Sequence, residues 1–260
     1  MDRETVIIAL TGKGGVGKTS ISASIVKILA KEFPDKKILA IDADPAIGLA
    51  TALAVKPEIS LDDIRSEIIS SVEEGDTQSA IELVSESRYR IFEAIVETDK
   101  FAFLSIGRPE SEGCYCRVNS YLKDVIEMVS QQFDYVVIDG EAGIEQINRR
   151  VMQKVSHLLL VTDASRKGLE VIRTINDVAK DMVNYERIGV VINRIEDMSL
   201  VGQLDTDQVE LLGLIPTDRN IMTYDIAAKD FMGLPDDTIS TLEIRKALEK
   251  FGVLDGGRSQ

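Results

Sequence analysis

The 260-residue chain carries 30 basic and 44 acidic side chains, a formal charge of −14, with 44% apolar residues, two cysteines and one histidine. This is ordinary globular composition, which excludes a disordered chain, and the acid excess argues against a protein that coats nucleic acid. Two cysteines cannot staple a secreted disulfide scaffold, no apolar run approaches the ~20 residues of a membrane span, and the start lacks signal-peptide organisation. The expectation is a cytoplasmic protein with reduced thiols.

Val6–Leu10 is a short apolar run that reads as a strand. It leads into Gly12-Lys13-Gly14-Gly15-Val16-Gly17-Lys18-Thr19, which fits G-x-x-x-x-G-K-[ST], and then into a helix over Lys18–Glu32 with Ile21, Ile25, Ile28 and Leu29 at helical spacing. Glycines there let backbone N–H groups wrap a phosphate, and the helix N-terminus adds partial positive charge. The nucleotide set is therefore Gly14, Gly15, Val16, Gly17, Lys18, Thr19 and Ser20. Lys18 reaches the β- and γ-phosphates, and the Thr19 hydroxyl is placed for Mg²⁺. Lys13 reads either as a solvated surface lysine or as one that projects outward to a facing subunit.

Ile38–Ile41 is the next strand, ending at Asp42 with Asp44 two residues on. From Glu58 to Asp99 there are twelve acids against three bases, over acidic amphipathic stretches at Leu61–Val72 and Gln78–Ser87. This segment reads as a solvated helical face or as a docking surface for a basic partner. It is the candidate insertion, at about 58–99, in what otherwise reads as a single domain over 1–260. Phe101–Ile106 reads as a strand and Asn119–Gln131 as a helix.

Between them lie both cysteines, in Gly113-Cys114-Tyr115-Cys116-Arg117. One intervening residue makes an intrachain disulfide very strained. In an extended loop both sulfurs point the same way, and Arg117 favours their thiolates. Two thiolates are half of a soft-metal site, and a two-fold homodimer supplies the other half. The plain alternative is two small apolar side chains in a loop.

Tyr135–Ile138 is a buried strand ending at Asp139. Carboxylates at strand ends beside a phosphate loop suit water-mediated Mg²⁺ binding and water positioning; without the loop, each reads as a turn or cap residue. Gly143, just beyond, could give an N–H to a γ-phosphate. Leu158–Val161, Ile188–Ile192 and Leu211–Ile215 are further strands, with a helix at Lys167–Met182 and a last one at Thr241–Phe251 stopped by Gly252. His157 begins a strand and reads as packing or solvent-facing. Asn193 and Arg194 follow the strand at Ile188–Ile192. An amide there can donate to and accept from adenine at once, and the Pro216 loop closes the other side. Strand–helix alternation with continuous apolar strands means an α/β, doubly wound, mostly parallel sheet with helices on both faces, and ligands at the strands' carboxyl ends.

GKGGVGKTS resembles the deviant Walker A motif of the P-loop ATPases related to MinD, ParA and the nitrogenase iron protein. The resemblance implies that ATP drives two identical subunits together and that Lys13 reaches across the dimer. It implies that Asp44 orients the attacking water, that Asp139 holds Mg²⁺ through water, that Asp42 supports the metal shell, and that Asn193 contacts the base. GRPESEGCYCRVNSYL, with VVIDGEAGIEQ and LLGLIPTDRNIMTYDIAAKDF, resembles the CooC-type accessory ATPases, over most of Val6 to Met232. Those proteins help insert nickel into carbon monoxide dehydrogenase, and a sibling group serves acetyl-CoA synthase. The GCYC pair is the specific part. It implies that Cys114 and Cys116 hold Ni²⁺, or Zn²⁺ in its absence, between the subunits of a homodimer that serves a client nickel enzyme.

The residues after Asp139, Gly140-Glu141-Ala142, depart from the common proline-containing switch II. Two other readings stand beside this one. A MinD- or ParA-like positioning ATPase would need a basic terminal helix for membranes or a basic surface for DNA, and leaves the cysteines unexplained. A dimeric Fe–S reductase like the nitrogenase iron protein takes its cysteines from two separate loops, and none follows Asp139 here. The expectation is therefore no nucleic acid and no stable membrane association.

Overall fold

The computed structural model describes residues 4–74, 86–87, 89–107, 116–142, 151, 154–204, 206 and 209–254. Its strands are β1 (Val6–Gly12), β2 (Ile38–Asp42), β3 (Val96–Glu97), β4 (Ala102–Ser105), β5 (Tyr135–Ala142), β6 (Lys154–Thr162), β7 (Asn184–Ile195) and β8 (Glu210–Pro216). The helices taken up below are α1 (Lys18–Glu32), α2 (Gly48–Ala52), α3 (Leu61–Glu73), α4 (Cys116–Ser130), α5 (Arg166–Met182), α6 (Arg219–Ile226) and α7 (Ile239–Lys250).

The strands form one sheet in the order β3-β4-β2-β5-β1-β6-β7-β8. Every neighbouring pair is parallel except β3 with β4. The strands are buried on both faces, and successive side chains go to opposite cores. Ile8 and Leu10 of β1 and Val137 of β5 pack with Ile25 of α1 and Ile244 of α7. Ala9, Val136 and Ile138 pack with Ile64 of α3, Val125 of α4 and Ile172 of α5. This is the doubly wound architecture the alternation predicts. β1 sits in the middle, between β5 and β6, so its carboxyl end opens at the crevice where chain direction across the sheet reverses.

Most predicted elements appear at close to the expected bounds, and the Lys18–Glu32 helix matches at both ends. Among the described residues, α2, β3 and α6 escape the sequence reading, as do two short 3-10 turns at Met198–Gln203 and Phe231–Gly233. α2 is five residues long and β3 two, too short to carry a period. α6 buries none of its side chains, so it lacks the apolar stripe that marks a packed helix. The Gln78–Ser87 stretch lies mostly outside the described residues. α7 buries Ile244 and Leu248, with Phe251 at its C-cap also buried, while Leu242 stays exposed. Gly252 takes φ 75° and stops the helix. Among the described residues no helix is long and apolar enough to cross a membrane.

His157 lies inside β6 rather than at its start. Its Nε2 donates to the Phe251 carbonyl at 3.1 Å and its ring meets Phe251 edge-on. Burial, helped by the charge of Arg187, lowers its pKa. It is a half-buried residue that packs against Phe251.

Candidate nucleotide site

The phosphate loop leaves β1 through Gly12, where the backbone has φ 143° and an added Cβ would sit 2.0 Å from the Val161 carbonyl oxygen. Only glycine fits so close to β6. Gly15 and Gly17 take φ 75° and 89°, and Gly17 caps α1 in the left-handed conformation. α1 has no acidic residue in its first turn, so nothing on the helix neutralises its positive end. Lys18 is buried, and its Nζ donates to the Lys13 carbonyl at 3.1 Å. Burial holds its pKa below the usual value, against the nearby carboxylates of Asp139, Asp44 and Glu141.

Asp139 lies near this lysine from within β5, which runs on to Ala142 rather than ending at Asp139 as expected. Its Oδ1 accepts from Ser22 Oγ at 2.9 Å, and the Thr19 side chain lies beside the same carboxylate. Burial pushes its pKa up to about 6, opposed by the Thr19 and Ser22 side chains and by Lys18. Its Oδ2 is buried with no hydrogen-bond partner among the described residues. A buried, unmatched carboxylate oxygen beside a threonine hydroxyl is a hard donor set that fits Mg²⁺. Ser22, one turn into α1, is a site residue that the motif does not name.

Asp42 lies opposite Asp139 in the β2–β5 register. Its Oδ2 accepts from the backbone N–H groups of Leu49 at 2.9 Å and Ala50 at 3.1 Å, and its Oδ1 from that of Asp44 at 3.3 Å. Burial, then the neighbouring Asp139, pushes its pKa up to about 7. Both oxygens therefore organise the loop 43–50, a task the metal-shell expectation did not include. Asp44 sits partly open in that loop, its Oδ1 accepting from Ala46 N at 2.8 Å.

Lys13 differs from the outward-projecting expectation. Its Nζ reaches Asp163 Oδ2 at 2.5 Å and Ser165 Oγ at 3.3 Å, both on its own chain between β6 and α5. The partner lies 150 residues away, and no local pattern announces it.

Asn193 and Arg194 reach the phosphate loop from the end of β7. Asn193 Nδ2 donates to the Val16 carbonyl and Arg194 Nη1 to the Gly15 carbonyl, each at 2.8 Å. Beside them opens a cavity of about 350 Å³ lined by Ser20, Asn193, Pro216, Ile221, Met222 and Asp225 among others. The expected base residues Asn193, Arg194 and Pro216 thus share one cavity with Gly17 and Ser20 of the phosphate loop. Ile221 and Met222 of the unpredicted α6 form its other wall.

Cys114 and Gly143 lie outside the described residues, and Cys116 is the first residue of α4. Among the described residues no three His, Cys, Asp or Glu side chains converge on a metal position.

Residues 7–229 match the CobQ/CobB/MinD/ParA nucleotide-binding domain. The chain belongs to this family. The match places the protein among the MinD/ParA-like ATPases. A similar protein is an uncharacterized ATP-binding protein of Methanocaldococcus jannaschii, 35% identical over 94% of this chain and 98% of its own. The carbon monoxide dehydrogenase accessory protein CooC of Rhodospirillum rubrum is 27% identical over 85% of this chain and 87% of its own. Among solved structures, the cell division ATPase MinD of Pyrococcus furiosus superposes with a TM-score of 0.67 at 23% identity, covering 96% of this chain and all of that one. That likeness concerns the fold.

Proposed function

We propose that this family member is a cytoplasmic Mg²⁺-ATPase that dimerises with ATP and carries nickel between its subunits to a client metalloenzyme of the carbon monoxide dehydrogenase or acetyl-CoA synthase type. The ATP half rests on the phosphate loop and on the buried, unmatched oxygen of Asp139. Backbone N–H groups of Gly14 to Ser20 and the Lys18 ammonium hold the phosphates. Thr19 and Asp139 would hold Mg²⁺ through water, and the ion supplies charge neutralisation across the phosphates. Asp42 fixes the loop 43–50, and with it the carboxylate of Asp44, which orients the attacking water. Asn193 and Pro216 take the base.

The metal half rests on one observation, the Cys114-Tyr115-Cys116 pair in a chain that is 27% identical to CooC over most of both lengths. Two thiolates per subunit make a four-sulfur set only when two subunits meet, so the cargo site is complete only in the dimer. Lys13 then leaves Asp163 and serves the partner's nucleotide. Hydrolysis reverses the pairing and releases the metal. Zn²⁺ fills the same sulfur set when nickel is absent.

The test is equilibrium dialysis of nickel against the wild type and the Cys114→Ala/Cys116→Ala double variant, under reducing conditions with ATP. The reading expects stoichiometric nickel in the wild type and none above background in the variant. Equal nickel affinity in both removes the cysteines from the site.

A further inference from the structure

The two side chains assigned to the nucleotide base do something else as well. Asn193 and Arg194 are adjacent, and each gives a donor to a carbonyl of the phosphate loop, Val16 O and Gly15 O, at 2.8 Å. These carbonyls flank the turn that directs the loop's N–H groups inward. A carbonyl held from outside keeps its peptide plane fixed, and so fixes where the next N–H points. Gly17 is pressed against the same pair: an added Cβ would lie 2.8 Å from Asn193 Nδ2 and 3.6 Å from Arg194 Nη2.

Arg194 holds this position in the left-handed backbone region, at φ 58°. A non-glycine residue is rare there and stays only where its surroundings over-determine it. The strand end has a reason to bend so: from this backbone the guanidinium turns back onto Gly15. The bond is charge-assisted, hence stronger than a neutral one.

We propose that Arg194 is a positioning residue that fastens the phosphate loop to the wall of the base cavity, with Asn193 as the second fastener. Resting on the nucleotide reading above, this makes the loop's grip on phosphate depend on a side chain that need not touch phosphate or base. It also couples the two ends of the nucleotide. Asn193 gives one of its two amide N–H groups to Val16, which leaves the other and its carbonyl oxygen for the edge of the base.

The experiment compares Mg²⁺-dependent binding of ATP and of inorganic pyrophosphate, which has no base, by displacement of a fluorescent ADP analogue. The variants are Arg194→Asn, which tolerates the left-handed backbone but is too short to reach Gly15, and Arg194→Lys, which restores one charged donor. Arg194→Gly, favoured at this φ, replaces Asn if that variant does not fold. Arg194→Asn should weaken ATP and pyrophosphate by the same factor, about tenfold, and Arg194→Lys should recover to within about threefold of wild type. Loss of ATP affinity with pyrophosphate unchanged would make Arg194 a base contact and overturn the proposal. So would no effect on either, or a lysine variant as weak as the asparagine one. A wild type that binds no Mg²⁺·ATP would instead sink the nucleotide reading, a distinct result.

Discussion

At the residue scale the proposed chemistry rests on Lys18, Asp139 and Asp42, each shaped by burial. Burial lowers the pKa of Lys18, and the carboxylates of Asp139, Asp44 and Glu141 work against that shift and favour its charged form. Replacement of Lys18 by alanine removes the phosphate clamp, and phosphate release from ATP should fall at least a hundredfold in a steady-state assay. Asp42 offers a pH test. Its pKa rises from 3.8 to about 7 in the fold, so the folded state binds the proton more tightly than the unfolded chain. That contribution to stability is whole below about pH 4 and is lost as pH climbs through about 7. Asp42→Asn removes it. Thermal melts at pH 5 and pH 8 should therefore show the variant gaining on the wild type at the higher pH; a constant or shrinking difference contradicts the burial account. Glycines and lysine at motif spacing mark the phosphate loop in the sequence itself. The partners of Asp139, Lys13 and Asn193 do not show there, because Ser22, Asp163 and Val16 meet them across 117, 150 and 177 positions.

Element by element, the sheet places the site. β1 ends in the middle of the sheet, and its loop leaves over β6 with no room for a side chain at Gly12. Gly12→Ala would push a methyl into the Val161 carbonyl at an unfavourable φ, and should cost about 3 kcal/mol or more in a urea melt. A loss under about 0.5 kcal/mol would mean that the two strands can part locally. The parallel strands were legible because they are continuous apolar runs, and α1 because its isoleucines recur at helical spacing. α2 was not legible, since Asp42 caps it from seven and eight residues away rather than from its own sequence start. α6 was hidden for the opposite reason: its apolar Met222 and Ile226 are exposed, so they serve the cavity rim rather than a core.

The whole molecule is half of the working unit in this account. The loop and Asp139 complete a nucleotide site within one chain, while Lys13 is folded back on Asp163 of the same chain. On the proposed reading the cysteines give each subunit half of a four-sulfur set. Among the described residues of the acidic segment, Asp62, Asp63, Glu67 and Glu73 lie on α3, whose Ile64 and Ile68 pack in the core on the sheet face opposite α1. Native mass spectrometry under anaerobic, reducing conditions tests the central claim most directly. It would weigh the protein with Mg²⁺, nickel and a slowly hydrolysed ATP analogue, beside the Lys13→Ala variant. The account predicts a wild-type dimer holding two nucleotides and one nickel, and a Lys13→Ala protein that binds nucleotide but stays monomeric. A wild type that remains monomeric with both ligands bound, or that carries one nickel on each separate subunit, would contradict it.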